Sequence, residues 1–214
     1  LAEWVSTPSF IEMCLADPSF APELLPSLDT IVLCGEVLRN GTAEKILNRF
    51  PGVALYNTYG PTETQAVTDI LVTRELCESA NPLPVGFLNP EVRAVIRDLE
   101  TGEELPAGET GEVYLEGATV SLGYWKRPDL TEAAFAPCVA PDGSPSRIYK
   151  TGDKGYVDAE GRLFCLGRLD FQVKLNGFRV ELGDVEQALA TLDAVKEAVV
   201  PPAERDGKVT HLVA

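Results

Sequence analysis

The segment Tyr56-Asn57-Thr58-Tyr59-Gly60-Pro61-Thr62-Glu63-Thr64 gathers rings, an amide, hydroxyls and a carboxylate around one glycine and one proline. Tyr59 offers a flat face for a base and Asn57 an amide for its edge. Thr62 offers a hydroxyl for a phosphate, and Glu63 a hard oxygen ligand for magnesium. Such a set suits a nucleotide. The same composition also serves as a plain turn, so composition alone leaves both readings open.

The apolar run Val53-Ala54-Leu55-Tyr56 before this segment reads as a short buried strand. Thr30 to Cys34 reads as another, ending at Gly35-Glu36, and Thr42 to Phe50 reads as an amphipathic helix with Ile46, Leu47 and Phe50 on one face. Strand, helix and strand in this order form a βαβ unit, so the two strands are expected to be parallel neighbours. Their carboxyl ends, Cys34-Gly35 and Asn57 to Glu63, then lie side by side, where open α/β sheets place their ligands. Upstream, Thr7-Pro8 is an N-cap and first helical position for a helix bearing Phe10, Ile11, Met13, Cys14 and Leu15.

From Val67 onward short strands and tight turns take over, and the alternation in Val92 to Arg97 suggests an antiparallel, barrel-like section. A helix is expected over Pro128 to Phe135 and a solvent loop over Ala136 to Ser146. Tyr149-Lys150-Thr151-Gly152-Asp153 then leads into a hairpin of strands ending at Val157 and Gly167. At Arg168-Leu169-Asp170 the composition shifts again. Strands at Phe171 to Lys174 and Phe178 to Val180, a helix over Leu182 to Leu192, and strands at Lys196 to Val200 and Lys208 to Ala214 outline a small α+β unit. With no helix to cover its last sheet, this unit is expected to be truncated. The expected organisation is a large domain over 1–169, α/β through residue 75 and barrel-like from residue 76, followed by a small domain over 170–214.

Among the 214 residues, 45% are hydrophobic, enough for a sizeable core. Lys+Arg 18 against Asp+Glu 33 gives a net charge of −15, which disfavours nucleic acid and anionic membranes as partners, since both need a basic surface. No apolar run approaches the ~18 residues of a membrane span, and Leu1-Ala2-Glu3-Trp4 lacks the basic start of a signal peptide. A cytoplasmic location is the default expectation. Cys14, Cys34, Cys77, Cys138 and Cys165 are odd in number and widely spaced, which suggests reduced thiols. The one histidine, His211, leaves no Ser-His-Asp triad and no His-rich metal site. A chain that begins with Leu in mid-pattern reads as a piece of a longer protein.

Four ordered motifs carry a family resemblance. They are Asn57 to Glu63; Gly117 to Tyr124 with Pro128 to Phe135; Tyr149 to Asp153; and Gly167 to Lys174 with Gly177-Phe178-Arg179-Val180-Glu181. In this order they resemble successive core motifs of the adenylate-forming enzymes, a family that includes acyl-CoA synthetases and the adenylation domains of nonribosomal peptide synthetases. Gln172-Val173-Lys174 and the Gly-x-Arg-x-Glu run look like the amino-acid-activating branch. Ser6 to Phe10, Met13 to Pro18 and Cys34-Gly35-Glu36-Val37-Leu38 look most like its D-alanine-activating, carrier-charging members.

The resemblance implies two half-reactions using ATP and magnesium (Mg2+): formation of D-alanyl-AMP, then transfer of D-alanine to the phosphopantetheine thiol of a carrier protein that supplies teichoic acid esterification. It implies that Tyr59 stacks on adenine, and that Asn57, Thr58, Gly60 and the backbone around Gly35 surround the base. Thr62 touches the α-phosphate, Glu63 holds Mg2+, Asp153 accepts the ribose hydroxyls, and Arg168 lies near the ribose or phosphate. Cys34 and Val67 line the substrate pocket. Asp170 is the hinge of the small domain, and Lys174 with Gly177 to Arg179 forms the face presented during thiol transfer. The family's phosphate loop and terminal lysine are expected outside these 214 residues, which alone are not expected to complete adenylation. Two alternatives keep parts of this reading: an adenylation domain within a peptide synthetase, and a non-catalytic carrier-binding module.

Overall fold

A computed structural model of the chain describes residues 2–80, 82–169, 172–175, 177–192, 194–205 and 208–214. In chain order the elements are β1 (Glu3–Ser6), α1 (Pro8–Leu15), β2 (Thr30–Leu33), α2 (Asn40–Arg49), β3 (Ala54–Tyr59), β4 (Thr68–Leu71), α3 (Arg74–Ser79), β5 (Gly86–Leu88), β6 (Val92–Arg97) and β7 (Gly111–Gly117). They continue with α4 (Pro128–Ala134), β8 (Phe135–Val139), β9 (Pro145–Val157), β10 (Arg162–Arg168), β11 (Gln172–Leu175), β12 (Phe178–Glu181), α5 (Leu182–Ala190), β13 (Pro202–Arg205) and β14 (Lys208–Leu212). Contacts divide the chain into two units, Leu1–Gly167 and Arg168–Ala214.

The first unit is built on one mixed sheet with strand order β1-β2-β3-β4-β5-β10-β9-β7-β6, β8 pairing with β9 beside this path. Strands β1, β2 and β3 are parallel, with Leu33 opposite Asn57, so the expected βαβ unit is present. The helices of this unit share a core with alternate residues of the parallel strands. Ile11, Ala43 and Ile46 pack with Ile31, Leu33 and Leu55, all wholly buried. Thr7 caps α1, its side chain accepting from the Phe10 N–H, and Pro8 takes the first turn, where a missing N–H costs nothing. By the period-2 rule Val32 and Cys34 share the opposite face with Tyr56 and Thr58.

Beyond β3 the pairing is antiparallel, and a second core of Tyr59, Val67, Val113, Leu115 and Leu163 lies under β7, β10 and the loop after β3. Three elements, β1, α3 and β5, were not anticipated from the sequence. Two expectations are corrected. Residues 136–146 are not a solvent loop, because β8 and the start of β9 pair there, Pro137 opposite Arg147. Residues 196–200 carry no strand; the strand lies at β13, paired antiparallel with β14. In the second unit β11 and β12 also form an antiparallel hairpin, followed by α5.

Candidate functional site

Several of the sequence-predicted residues of the first unit lie around the carboxyl ends of β2 and β3. Thr58 Oγ1 donates to the Leu33 carbonyl (3.3 Å), tying the ends of β3 and β2. The Cys34 N–H bonds Ser6 O (3.1 Å), and Gly35 follows with φ +84°, a left-handed conformation that glycine adopts without a Cβ penalty. Glu36 then turns back to the start of α1, where its Oε2 accepts from the Ser9 N–H (2.9 Å) and from the Ser9 hydroxyl. A carboxylate there is favoured by the helix dipole.

Asn57 is buried at 2% exposure, and its Nδ2 donates to Pro84 O (2.8 Å), so that donor is used inside the fold. Val67 is also wholly buried, its N–H bonding Tyr59 O (2.8 Å), and it contributes to the core beneath Tyr59. Thr62 is exposed at the tip of the loop.

Both carboxylates of the site meet a tyrosine. Tyr59 OH donates to Asp153 Oδ2 (2.5 Å), joining residues 94 positions apart. Asp153 reaches that point because β9 threads between β7 and β10. Its own N–H bonds Thr151 Oγ1 (2.9 Å), which in turn donates to Val113 O (2.7 Å). Tyr124 OH donates to Glu63 Oε1 (2.6 Å), and the Ser121 N–H donates to Glu63 O (2.9 Å). Glu63 keeps only 7% of its surface exposed.

Burial, followed by the charge of Asp153, pushes the Tyr59 phenol well above its ordinary value of 10.0. Burial, followed by the hydrogen bond to Glu63, pushes Tyr124 up in the same way. The folded chain therefore keeps both phenols protonated in alkali where the unfolded chain ionises them. Their contribution is fully present below about pH 10 and is lost as pH rises beyond it. Tyr124→Phe is accordingly expected to flatten the fall of Tm between about pH 9 and pH 11 relative to the wild type. A pH series of thermal melts tests this, and parallel curves would show that Tyr124 titrates as it does in the unfolded chain.

Among the described residues no group of three or more His, Cys, Asp or Glu side chains is placed to hold a metal. A single buried carboxylate nevertheless suits magnesium, which keeps several waters and takes its other ligands from substrate phosphates. Glu63 is a carboxylate of this kind that could hold such an ion.

In the second unit Arg168 ends β10, and Lys174 stands directly opposite Arg179 across the β11–β12 hairpin, both exposed. Gly177 takes φ +85° in the connecting turn. Asp170, the predicted hinge, lies outside the described residues. Sequence reasoning missed Tyr124 and Thr151 as partners of the site; Gly123-Tyr124 and Thr151-Gly152-Asp153 sit inside recognised motifs, but nothing in their spacing reveals what they touch.

Residues 3–125 match the family model described as AMP-binding enzyme, and the chain belongs to that family. It is 47% identical over 212 residues, 99% of its length, to the D-alanine–D-alanyl carrier protein ligase of Bacillus velezensis (strain DSM 23117 / BGSC 10A6 / LMG 26770 / FZB42), of which it spans 41%. The fold is similar to that of a holo NRPS protein containing adenylation and PCP domains bound to a vinylsulfonamide inhibitor (TM-score 0.85, 30% identity, 99% of this chain and 36% of that one). It is also similar to the Vibrio cholerae adenylation domain AlmE in complex with glycyl-adenosine-5'-phosphate (TM-score 0.83, 30% identity, 100% of this chain and 40% of that one). No helix among the described residues is long and apolar enough to cross a membrane.

Proposed function

We propose that the chain is part of an ATP-dependent ligase that forms D-alanyl-AMP and passes D-alanine to the phosphopantetheine thiol of a carrier protein for teichoic acid D-alanylation. The observation that carries this reading is the 47% identity to a D-alanine–D-alanyl carrier protein ligase across 99% of the chain. The 30% identity to the peptide synthetase protein supports the alternative parent less strongly.

In the first half-reaction the D-alanine carboxylate attacks the α-phosphorus of ATP and pyrophosphate leaves. In the second, the carrier thiol, losing its proton, attacks the acyl carbon and AMP leaves. Asp153 accepts the ribose hydroxyls, Thr62 touches the α-phosphate, and Arg168 lies near the ribose or phosphate. The loop around Gly35 and Gly60, with Thr58 and the Tyr59 ring, surrounds adenine. The antiparallel strands from β4 to β10 make the barrel-like part of the large domain. The second unit is the beginning of the small domain, Asp170 its joint, and the Lys174–Arg179 hairpin the face used in thiol transfer. ATP as co-substrate, and five cysteines that form no disulfide among the described residues, support a cytoplasmic location.

Cys34 leaves β2 on the face shared with Thr58, which supports a place beside the aminoacyl group. A non-reactive D-alanyl-adenylate analogue is expected to bind the chain about tenfold or more tighter than its L-enantiomer, as contacts of methyl size allow. Calorimetric titration of both analogues tests this, with Cys34→Ala expected to shrink the ratio. Equal affinities in the wild type would sink the D-alanine reading while leaving the nucleotide site standing.

A further inference from the structure

Tyr124 is absent from every role discussed so far, yet it is held at three points. Its N–H donates to Thr131 Oγ1 (2.9 Å), a bond brought close by Gly123, where φ is +128° and an added Cβ would stand 2.3 Å from Thr131 Cγ2. Its ring lies edge-on to Phe135 (centroids 5.4 Å apart), which in turn packs on Tyr149 (5.0 Å) in a small core with Val120. Its hydroxyl meets both Glu63 and Tyr149, and Tyr149 is 2% exposed.

The loop carrying Tyr124 is pinned from below as well. Arg147 Nε donates to Ser121 O (3.0 Å) and its Nη2 to Leu122 O (3.0 Å), while its guanidinium lies over the Phe135 ring (5.8 Å). Ser121 then returns its N–H to the Glu63 carbonyl. The satellite core under α4 and β8 thus delivers two hydrogen bonds to one residue, the first to its carboxylate and the second to its backbone.

We propose that Tyr124 is a positioning residue for Glu63: its hydroxyl, held by Phe135, Tyr149 and Thr131, aims the carboxylate at the divalent cation that accompanies a nucleoside triphosphate. The inference rests on the reading of Glu63 as a cation ligand given above. Groups that orient a metal-binding side chain typically change metal affinity by roughly 10–100-fold when removed. A merely structural link between two loops would instead weaken every ligand of the site alike.

Tyr124→Phe keeps the ring and deletes the hydroxyl. In the ATP-loaded chain, followed by electron paramagnetic resonance with Mn2+ replacing Mg2+, half-saturation by Mn2+ is expected to rise roughly 10–100-fold. Binding of AMP without metal should stay within twofold. Thr131→Val, which leaves Tyr124 intact but takes away the acceptor of its N–H together with the bond from Thr131 Oγ1 to Arg127 O (2.8 Å), should shift Mn2+ binding the same way by a smaller factor, and it decides the matter if Tyr124→Phe does not fold. Unchanged Mn2+ binding, or equal loss of Mn2+ and AMP binding, overturns the inference. Glu63→Gln separates the two readings. If Glu63→Gln weakens Mn2+ binding and Tyr124→Phe does not, the inference alone fails; if neither does, or the wild type shows no Mn2+-dependent ATP binding, the reading of Glu63 fails and takes the inference with it.

Discussion

Asp153→Ala is expected to weaken AMP binding by roughly a hundredfold or more. A carboxylate accepting from two ribose hydroxyls makes two charge-assisted hydrogen bonds of ~1.5–3 kcal/mol each, and ~1.4 kcal/mol is tenfold in affinity. The substitution also leaves the Tyr59 hydroxyl, in a residue only 9% exposed, without the acceptor it has at 2.5 Å. Stability should therefore fall together with affinity, by the ~1–3 kcal/mol of an unsatisfied buried donor. Asp153→Asn retains one acceptor oxygen and should fall between wild type and Ala. The decisive comparison uses 2'-deoxy-AMP and 3'-deoxy-AMP, each of which should bind the wild type more weakly than AMP but bind Asp153→Ala no more weakly than AMP does. A folded Asp153→Ala chain that binds AMP within threefold of wild type would remove Asp153 from the site.

How much of this was legible in the sequence follows from what kind of information each feature needs. The βαβ unit could be read because strand burial and helix periodicity are local, and the parallel orientation of its two strands follows from the crossover between them. Strand β8 could not, because Pro137 and the prolines at 141 and 145 argue for a loop. The strand survives because β8 pairs only with β9, and proline is tolerated on an edge. Strand β1 is four residues long with an exposed-intermediate alternation, too short to register as a period. The site divides in the same way. The turn chemistry of Gly60-Pro61-Thr62-Glu63 is written in adjacent residues. The meeting of Tyr59 with Asp153, and of Glu63 with Tyr124, depends on which strands neighbour each other across the sheet. For Tyr59 and Asp153, motif resemblance names both residues but not the bond between them; for Tyr124 it supplies no role at all.

Gly60→Ala is expected to be the most disruptive single methyl in the first unit. A Cβ built on Gly60 would stand 1.7 Å from the Gln65 carbonyl oxygen, 2.5 Å from its carbon and 2.7 Å from Ala66 Cα. All three are backbone atoms, so no rotamer change relieves the clash. The backbone has little room to yield, because Gln65 already sits at φ +61° without being glycine, and Val67 N–H to Tyr59 O (2.8 Å) and Thr64 N–H to Pro61 O (3.0 Å) close the loop on both sides. Overpacking of this kind costs about 1–3 kcal/mol, and each loop hydrogen bond that breaks adds about 1 kcal/mol. A total near 3 kcal/mol corresponds to a fall in Tm of roughly 6–12 °C for a chain of this size. The same shift moves Thr62 and Glu63, so AMP and Mn2+ binding should fail even below the new Tm. Gly41→Ala is the matched control: it lies in α2 with nothing within 4 Å of its Cβ position, and alanine there should be neutral or stabilising by up to ~1 kcal/mol. Calorimetric melts of the two variants side by side test the idea. A Gly60→Ala chain that melts within 2 °C of Gly41→Ala and still binds AMP would mean that the loop after β3 relaxes freely, and that its tight closure is not what holds Thr62 and Glu63 in place.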